Sequence, residues 1–301
     1  MLLSASVLTS CNEDGSYKEF DRNEIYKHLS LVNVSDAKMI YTKEETNLRS
    51  GGSGAFGGVW KIDQNGNETK LVITGSDGTA NVLNIYEISK LSDKILLMFP
   101  DWYDVNRIKQ EWYNSHSDDP LHIDGPSQPH GASTEYVMLL NRETEKLYRF
   151  PENVSVPDKN DKILTDNQGN IYYKGYLQGE QILKLSPETM SIEGLLPEDI
   201  NFDDFLVTDD GFIVYWKGFG QQQNSRVKCP GGRIYPILDA YTFVFNGDLY
   251  SVRDKEIIRY ETIGNNELKE TKICIIPEDS SHWEFIPNHV RNTMVINGRL
   301  S

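Results

Sequence analysis

The chain has 301 residues, 38 % of them hydrophobic and 11 % aromatic, and a net charge of -15 from 45 acidic and 30 basic side chains. That is enough material for one large all-β domain or two smaller ones around a sizeable core. The acidic balance excludes the basic footprint that a nucleic-acid partner needs and disfavours adsorption to anionic lipid, and no stretch supplies the roughly 20 apolar residues that span a bilayer.

The first eleven residues, Met1 to Cys11, form a short stretch of apolar and small residues that ends at a cysteine and gives way to Asn12-Glu13-Asp14-Gly15-Ser16. So short an apolar run before an abrupt polar change reads as a targeting segment rather than a core element. Leu8-Thr9-Ser10-Cys11 resembles the bacterial lipobox. That resemblance implies removal of the preceding segment and lipidation of Cys11, which tethers a soluble domain without a spanning helix. The acidic pair Glu13-Asp14 resembles the surface-export signal of Bacteroidetes-type lipoproteins. The segment departs from the pattern in lacking a basic n-region, as expected if translation starts a few residues upstream. Residues 12–36 are expected to be a tether and lead-in, with a short helix over Lys18 to Leu31.

From residue 37 onward the pattern is of strands. Gly58 to Ile73 reads as the outer hairpin of a first unit, turning at Asp63-Gln64-Asn65-Gly66-Asn67. A second unit is expected to begin near Val82, run through Lys94 to Phe99, and resume at Tyr136 to Leu140 and Lys146 to Phe150. That leaves about 101–135 as an insertion. The grammar is clearest next: Ile163 to Tyr173 has an apolar strand, an Asp/Asn/Gly turn and an aromatic strand, because such turn residues tolerate the positive φ of a tight hairpin. It returns at Phe205 to Tyr215 and Thr242 to Tyr250, with a partial copy at Thr293 to Leu300. The turn glycines 169, 211, 247 and 298 are 42, 36 and 51 residues apart, near the spacing of four-stranded propeller blades. Gln181 to Leu185 and Glu256 to Tyr260 alternate as third strands, with fourth strands over Ser191 to Leu196 and Leu268 to Ile273.

These repeats predict an all-β fold: a single-domain β-propeller of about six four-stranded blades over 37–301, after a short N-terminal tether. Strands near Ala37 to Tyr41 are expected to complete the C-terminal fragment and close the ring. Signatures such as Asp166-Asn167-Gln168-Gly169-Asn170-Ile171-Tyr172-Tyr173, followed by Ile182-Leu183-Lys184-Leu185, resemble the β-propeller lipoproteins of unknown function of gut Bacteroidetes. The resemblance covers about residues 37–301 and implies architecture rather than activity. An outer-membrane location, periplasmic or surface-exposed, follows from it only through lipid on Cys11.

Few residues carry legible chemistry. Gly52-Ser53-Gly54-Ala55-Phe56-Gly57 matches a dinucleotide fingerprint but lacks the preceding strand and following helix that motif needs. The Asp63 and Asp166 loops invite a calcium reading, yet the twelfth positions hold Thr74 and Leu177 instead of a bidentate Glu. Neither a nucleophile elbow nor a zinc-protease motif occurs, and pairs such as Asp209-Asp210 read as a solvated face. No cofactor is expected. The insertion carries Trp102-Tyr103 and Trp112-Tyr113, candidates for a ligand-stacking platform; the other reading is blade packing. It also holds His116, His122 and His130, weak metal candidates whose spacings fit no standard zinc motif. Arg226 to Tyr235 is a basic patch in an acidic chain, explained by a hairpin through Pro230-Gly231-Gly232 or by attraction of an anionic ligand. Cys229 and Cys274 are either paired or free. The expected role is a binding module for a glycan, peptide or envelope-protein partner. The alternatives are a propeller-type polysaccharide hydrolase or lyase, and a structural subunit of an envelope complex.

Overall fold

The computed structural model describes residues 10–11, 17–18, 20–26, 29–30, 34, 36–46, 55–75, 83–116, 130–158, 160–197, 201–218, 225–237, 241–276, 280–288 and 293–300. The chain divides into two compact units, residues 1–152 and 153–301. Counts of strands, helices and bonds refer to these described residues. The fold is mostly antiparallel β-structure.

The first unit contains β1 (Ser10–Cys11), β2 (Tyr17–Lys18), α1 (Asn23–Tyr26), β3 (Leu29–Ser30), β4 (Ala37–Thr46), β5 (Ala55–Asp63), β6 (Glu68–Lys70) and β7 (Val72–Gly75). It continues with β8 (Leu83–Lys90), β9 (Ile95–Pro100), α2 (Trp102–His116), β10 (Met138–Asn141) and β11 (Lys146–Arg149). Strands β11-β10-β9-β8-β7-β3 form one sheet and β4-β5-β6 another. Every residue of β10 is buried, so the strand reads as a continuous apolar run instead of an alternating one, as strands covered on both faces do. Its core gathers Val59, Leu71, Ile73, Leu83, Ile85 and Met98 from the strands, with Val105 and Ile108 from α2.

The second unit contains β12 (Ile163–Thr165), β13 (Ile171–Tyr176), β14 (Glu180–Leu185), β15 (Ile192–Gly194), β16 (Asp204–Val207), β17 (Ile213–Trp216), β18 (Ser225–Lys228) and β19 (Ile234–Ile237). After these come β20 (Tyr241–Phe245), β21 (Asp248–Arg253), β22 (Glu256–Ile263), β23 (Glu267–Ile275), β24 (Ser280–Asn288) and β25 (Thr293–Leu300). Three consecutive four-stranded meanders, β12–β15, β16–β19 and β20–β23, are followed by the β24–β25 pair. Strand β17 explains how they stack. Its successive side chains point to opposite faces. Ile213 and Tyr215 pack with Tyr172, Ile182, Phe202 and Phe205 on one side, while Val214 and Trp216 pack with Val227, Leu249 and Tyr260 on the other. The middle sheet is therefore sandwiched, and truncating a fully buried ring such as Phe205 to Ala should cost about 3–5 kcal/mol.

One five-residue turn builds four of the hairpins. In Asp63–Asn67, Asp166–Asn170, Thr208–Phe212 and Cys229–Arg233 the first N–H donates to the fifth carbonyl, and the fourth N–H donates to the first carbonyl. The fourth residue is always glycine, at φ of 87°, 81°, 88° and 94°. A type I turn closed by a left-handed residue requires that. The first side chain ties the turn internally: Asp63 accepts from the N–H groups of Asn65 and Asn67 and from Asn67 Nδ2. These bonds hold the Asp63 carboxyl below its ordinary range. The turn reading of both Asp loops thus stands on its hydrogen bonds.

Several sequence expectations are corrected. Part of the 101–135 insertion is a 15-residue helix, α2, whereas only Asn23–Tyr26 of Lys18 to Leu31 is helical. The Gly58–Ile73 hairpin keeps β5 and β6, but Val72 and Ile73 leave it to pair with Asn84 and Leu83 of β8. Asn297 and Gly298 are not a turn: they lie inside β25, opposite Glu284 and Trp283 of β24. Ala37 to Tyr41 does not join that C-terminal pair; it runs antiparallel to β5. Val82 lies outside the described residues. Cys229 and Cys274 form no disulfide; the first is buried and the second exposed.

Candidate functional site

Helix α2 starts where Asp101 caps it: Oδ1 accepts from the Tyr103 N–H at 3.0 Å, as an N-cap carboxylate does. Asp104 in the first turn reaches back to the Asn84 N–H and Nδ2 at 2.8 and 2.7 Å, and Arg107 bridges to Glu111 one turn on. The four aromatics do not form one platform. Ten residues separate the pairs, about 15 Å along a helix. Trp102 packs against the core with the Lys109 ammonium over its ring, and Tyr103 stacks on His130 at 4.7 Å. Trp112 stacks on His116 at 4.4 Å and meets Phe20 edge-on, and Tyr113 joins that cluster. His130 Nδ1 lies 2.6 Å from Asp101 Oδ2. His116 Nδ1 bonds the Trp112 carbonyl of its own helix, and His122 lies outside the described residues. Among the described residues no three His, Cys, Asp or Glu side chains gather as a metal site.

A polar-lined cavity lies in the second unit, bordered by residues of the β12–β15 and β16–β19 sheets. It has a volume of about 490 Å³, within the size range of small-molecule sites. Strand register builds it. Tyr172 on β13 lies opposite Lys184 on β14, and Lys184 opposite Glu193 on β15, giving a row across one sheet. From the other sheet come Ile213 and Lys228, also paired in register, and the Asp209-Asp210-Gly211 turn. Asn167, Gln168 and the buried Asn170 add side-chain amides to the lining.

Most of the charge is already committed. Asp166 accepts from the Gln168 and Asn170 N–H groups, from Asn170 Nδ2 and from Tyr172 Oη. Desolvation, and then the hydrogen bond to Asp166, push the Tyr172 phenol far above its ordinary range. Glu193 pairs with Lys184 at 3.5 Å. Asp210 accepts from Thr208 Oγ1 at 2.5 Å, and partial desolvation raises its carboxyl. Lys228 differs. Its ammonium makes no hydrogen bond or ion pair with a described residue; burial, then the like charge of Lys184, lowers its pKa, with Glu193 opposing. The sequence reading put Lys228 in a basic patch and Asp209-Asp210 on a solvated face. Missing was the knowledge that two successive sheets face each other here, which no local pattern carries.

No family model matches the chain, and no curated protein matches it. Among solved structures it is similar to TolB from Acinetobacter baumannii, at 12 % identity over 68 % of this chain and 45 % of that one, with a TM-score of 0.28. It is similar also to an oligogalacturonate lyase in complex with manganese, at 14 % identity over 74 % of this chain and 55 % of that one, with a TM-score of 0.31. The chain thus spans about half the length of each, and at these TM-scores the likenesses assign neither ring closure nor activity to it.

Proposed function

We propose that this protein is an extracytoplasmic binding module, anchored through lipid on Cys11, whose stacked meanders are blades of a β-propeller. The ligand seat in this reading is the cleft between the β12–β15 and β16–β19 sheets. One observation carries it: a cavity of about 490 Å³ whose carboxylates are largely tied into turns and ion pairs, while one half-buried ammonium, Lys228, makes no ion pair with a described residue. Preset side chains of this kind suit recognition, because their geometry is fixed before a ligand arrives. The three successive four-stranded sheets, packed face to face, support the blade reading. Asp210 favours a second reading, a polysaccharide hydrolase or lyase, since a raised carboxyl is what a general acid needs.

A glycan-array and thermal-shift screen tests the module, run beside an Asn167→Ala variant that trims the cleft rim. A hit weakened in the variant supports the cleft as the seat. A hit unchanged by Asn167→Ala and by Lys228→Met moves the seat elsewhere. Turnover of the hit, abolished by Asp210→Asn, establishes the enzyme reading instead. For the anchor, Cys11→Ser should move the protein from the membrane to the soluble fraction and abolish palmitate labelling; retention of both label and membrane fraction refutes it.

A further inference from the structure

Resting on the cleft as ligand seat, we infer that Lys228 selects ligands bearing a single carboxylate among several hydroxyl groups: sugar acids of the hexuronate kind, alone or as the end of a short chain. The argument is one of matching groups. Glu193 pairs with Lys184 and favours the Lys228 charge without an ion pair to it among the described residues. Lys228, fixed on β18 opposite Ile213, is left facing the cavity with no ion-pair partner among the described residues. Glu193 offsets only part of the cost of half-burying this ammonium, and an incoming anion that pairs with it directly offsets more.

The rest of the lining decides which anion. Asp166, Glu193, Asp209 and Asp210 all border the cavity. A sulfate or a phosphate dianion would meet their combined repulsion, whereas a single carboxylate can be offset by one ammonium. The exposed side-chain amides of Asn167 and Gln168 have carbonyl oxygens that can accept hydrogen bonds, which suits a ligand rich in hydroxyl donors. The volume exceeds that of one sugar ring, so the seat has room for a second. The basic patch visible in the sequence thus narrows to one residue.

The test is calorimetric titration of the full chain with glucuronate, galacturonate and mannuronate, each beside its neutral hexose. The expected result is at least tenfold preference for one acid over its hexose. Lys228→Met should remove that preference, and Lys228→Arg should restore part of it. Sodium sulfate at equal ionic strength should compete no better than chloride. Equal binding of acid and neutral sugar, weakened by Asn167→Ala but not by Lys228→Met, overturns the selectivity and leaves the seat standing. Acid preference that persists in Lys228→Met likewise overturns the role of Lys228. Absence of binding by any sugar, in protein that melts cooperatively, overturns this inference together with the saccharide form of the cleft reading.

Discussion

Asp166→Ala probes the turn that recurs through the chain. The carboxylate accepts four hydrogen bonds, two from backbone N–H groups of an exposed turn and two from Asn170 Nδ2 and Tyr172 Oη. Water can replace the backbone pair at little cost. The other two donors belong to residues only 6 % and 3 % exposed; a buried donor left unmade costs about 1–3 kcal/mol, with the smaller share at Asn170 Nδ2, which keeps Gln168 Oε1 at 3.3 Å. We therefore expect a loss of about 2–4 kcal/mol for Asp166→Ala. Tyr172→Phe removes one stranded donor, so in the Asp166→Ala background it should cost less than alone, with a coupling of about 1 kcal/mol. Urea unfolding of the four proteins, followed by tryptophan fluorescence and by far-UV circular dichroism, measures this. A loss below about 0.5 kcal/mol, or strictly additive single effects, would refute the view that the side-chain bonds rather than the backbone turn hold this hairpin.

Gly175→Ala should destabilise by about 1–3 kcal/mol through overpacking. Its Cβ would stand 2.5 Å from Leu183 Cδ1 and 2.6 Å from Ser155 Oγ; an unchanged urea midpoint would contradict that packing. Asp210→Asn tests the raised carboxyl. A folded-state pKa above the unfolded one means that charge opposes folding, so the penalty is absent below the ordinary carboxylate range and grows as pH rises through the folded value. The variant should be the more stable one at neutral pH and equal to wild type near about pH 3; the opposite trend would mean the carboxylate is stabilised. In a Cys11→Ser background, Ellman's reagent should label one thiol in the native protein, Cys274, and the second, Cys229, only on unfolding. Rapid labelling of both would show that the β16–β19 core opens readily.

What the sequence alone determined is local. The all-β class, the hairpins at Asp166 and Thr208, and the third and fourth strands after the Asp166 and Thr242 hairpins follow from period-two apolarity and from turn glycines at positive φ. In the sequence alone 101–135 reads as an insertion with no helix, because α2 buries only Asp104, Val105 and Ile108. Its 3.6-residue period is correspondingly faint. The tertiary structure decided what depends on partners distant in sequence. Asn297-Gly298 has turn chemistry, yet eight-residue pairing with β24 keeps it in a strand. Ala37 to Tyr41 has strand character that says nothing of its neighbour, which proved to be β5. The cleft was invisible for the same reason: Lys184 and Glu193 pair across neighbouring strands of one sheet, and only the packing of the next sheet brings Lys228 to the same cavity.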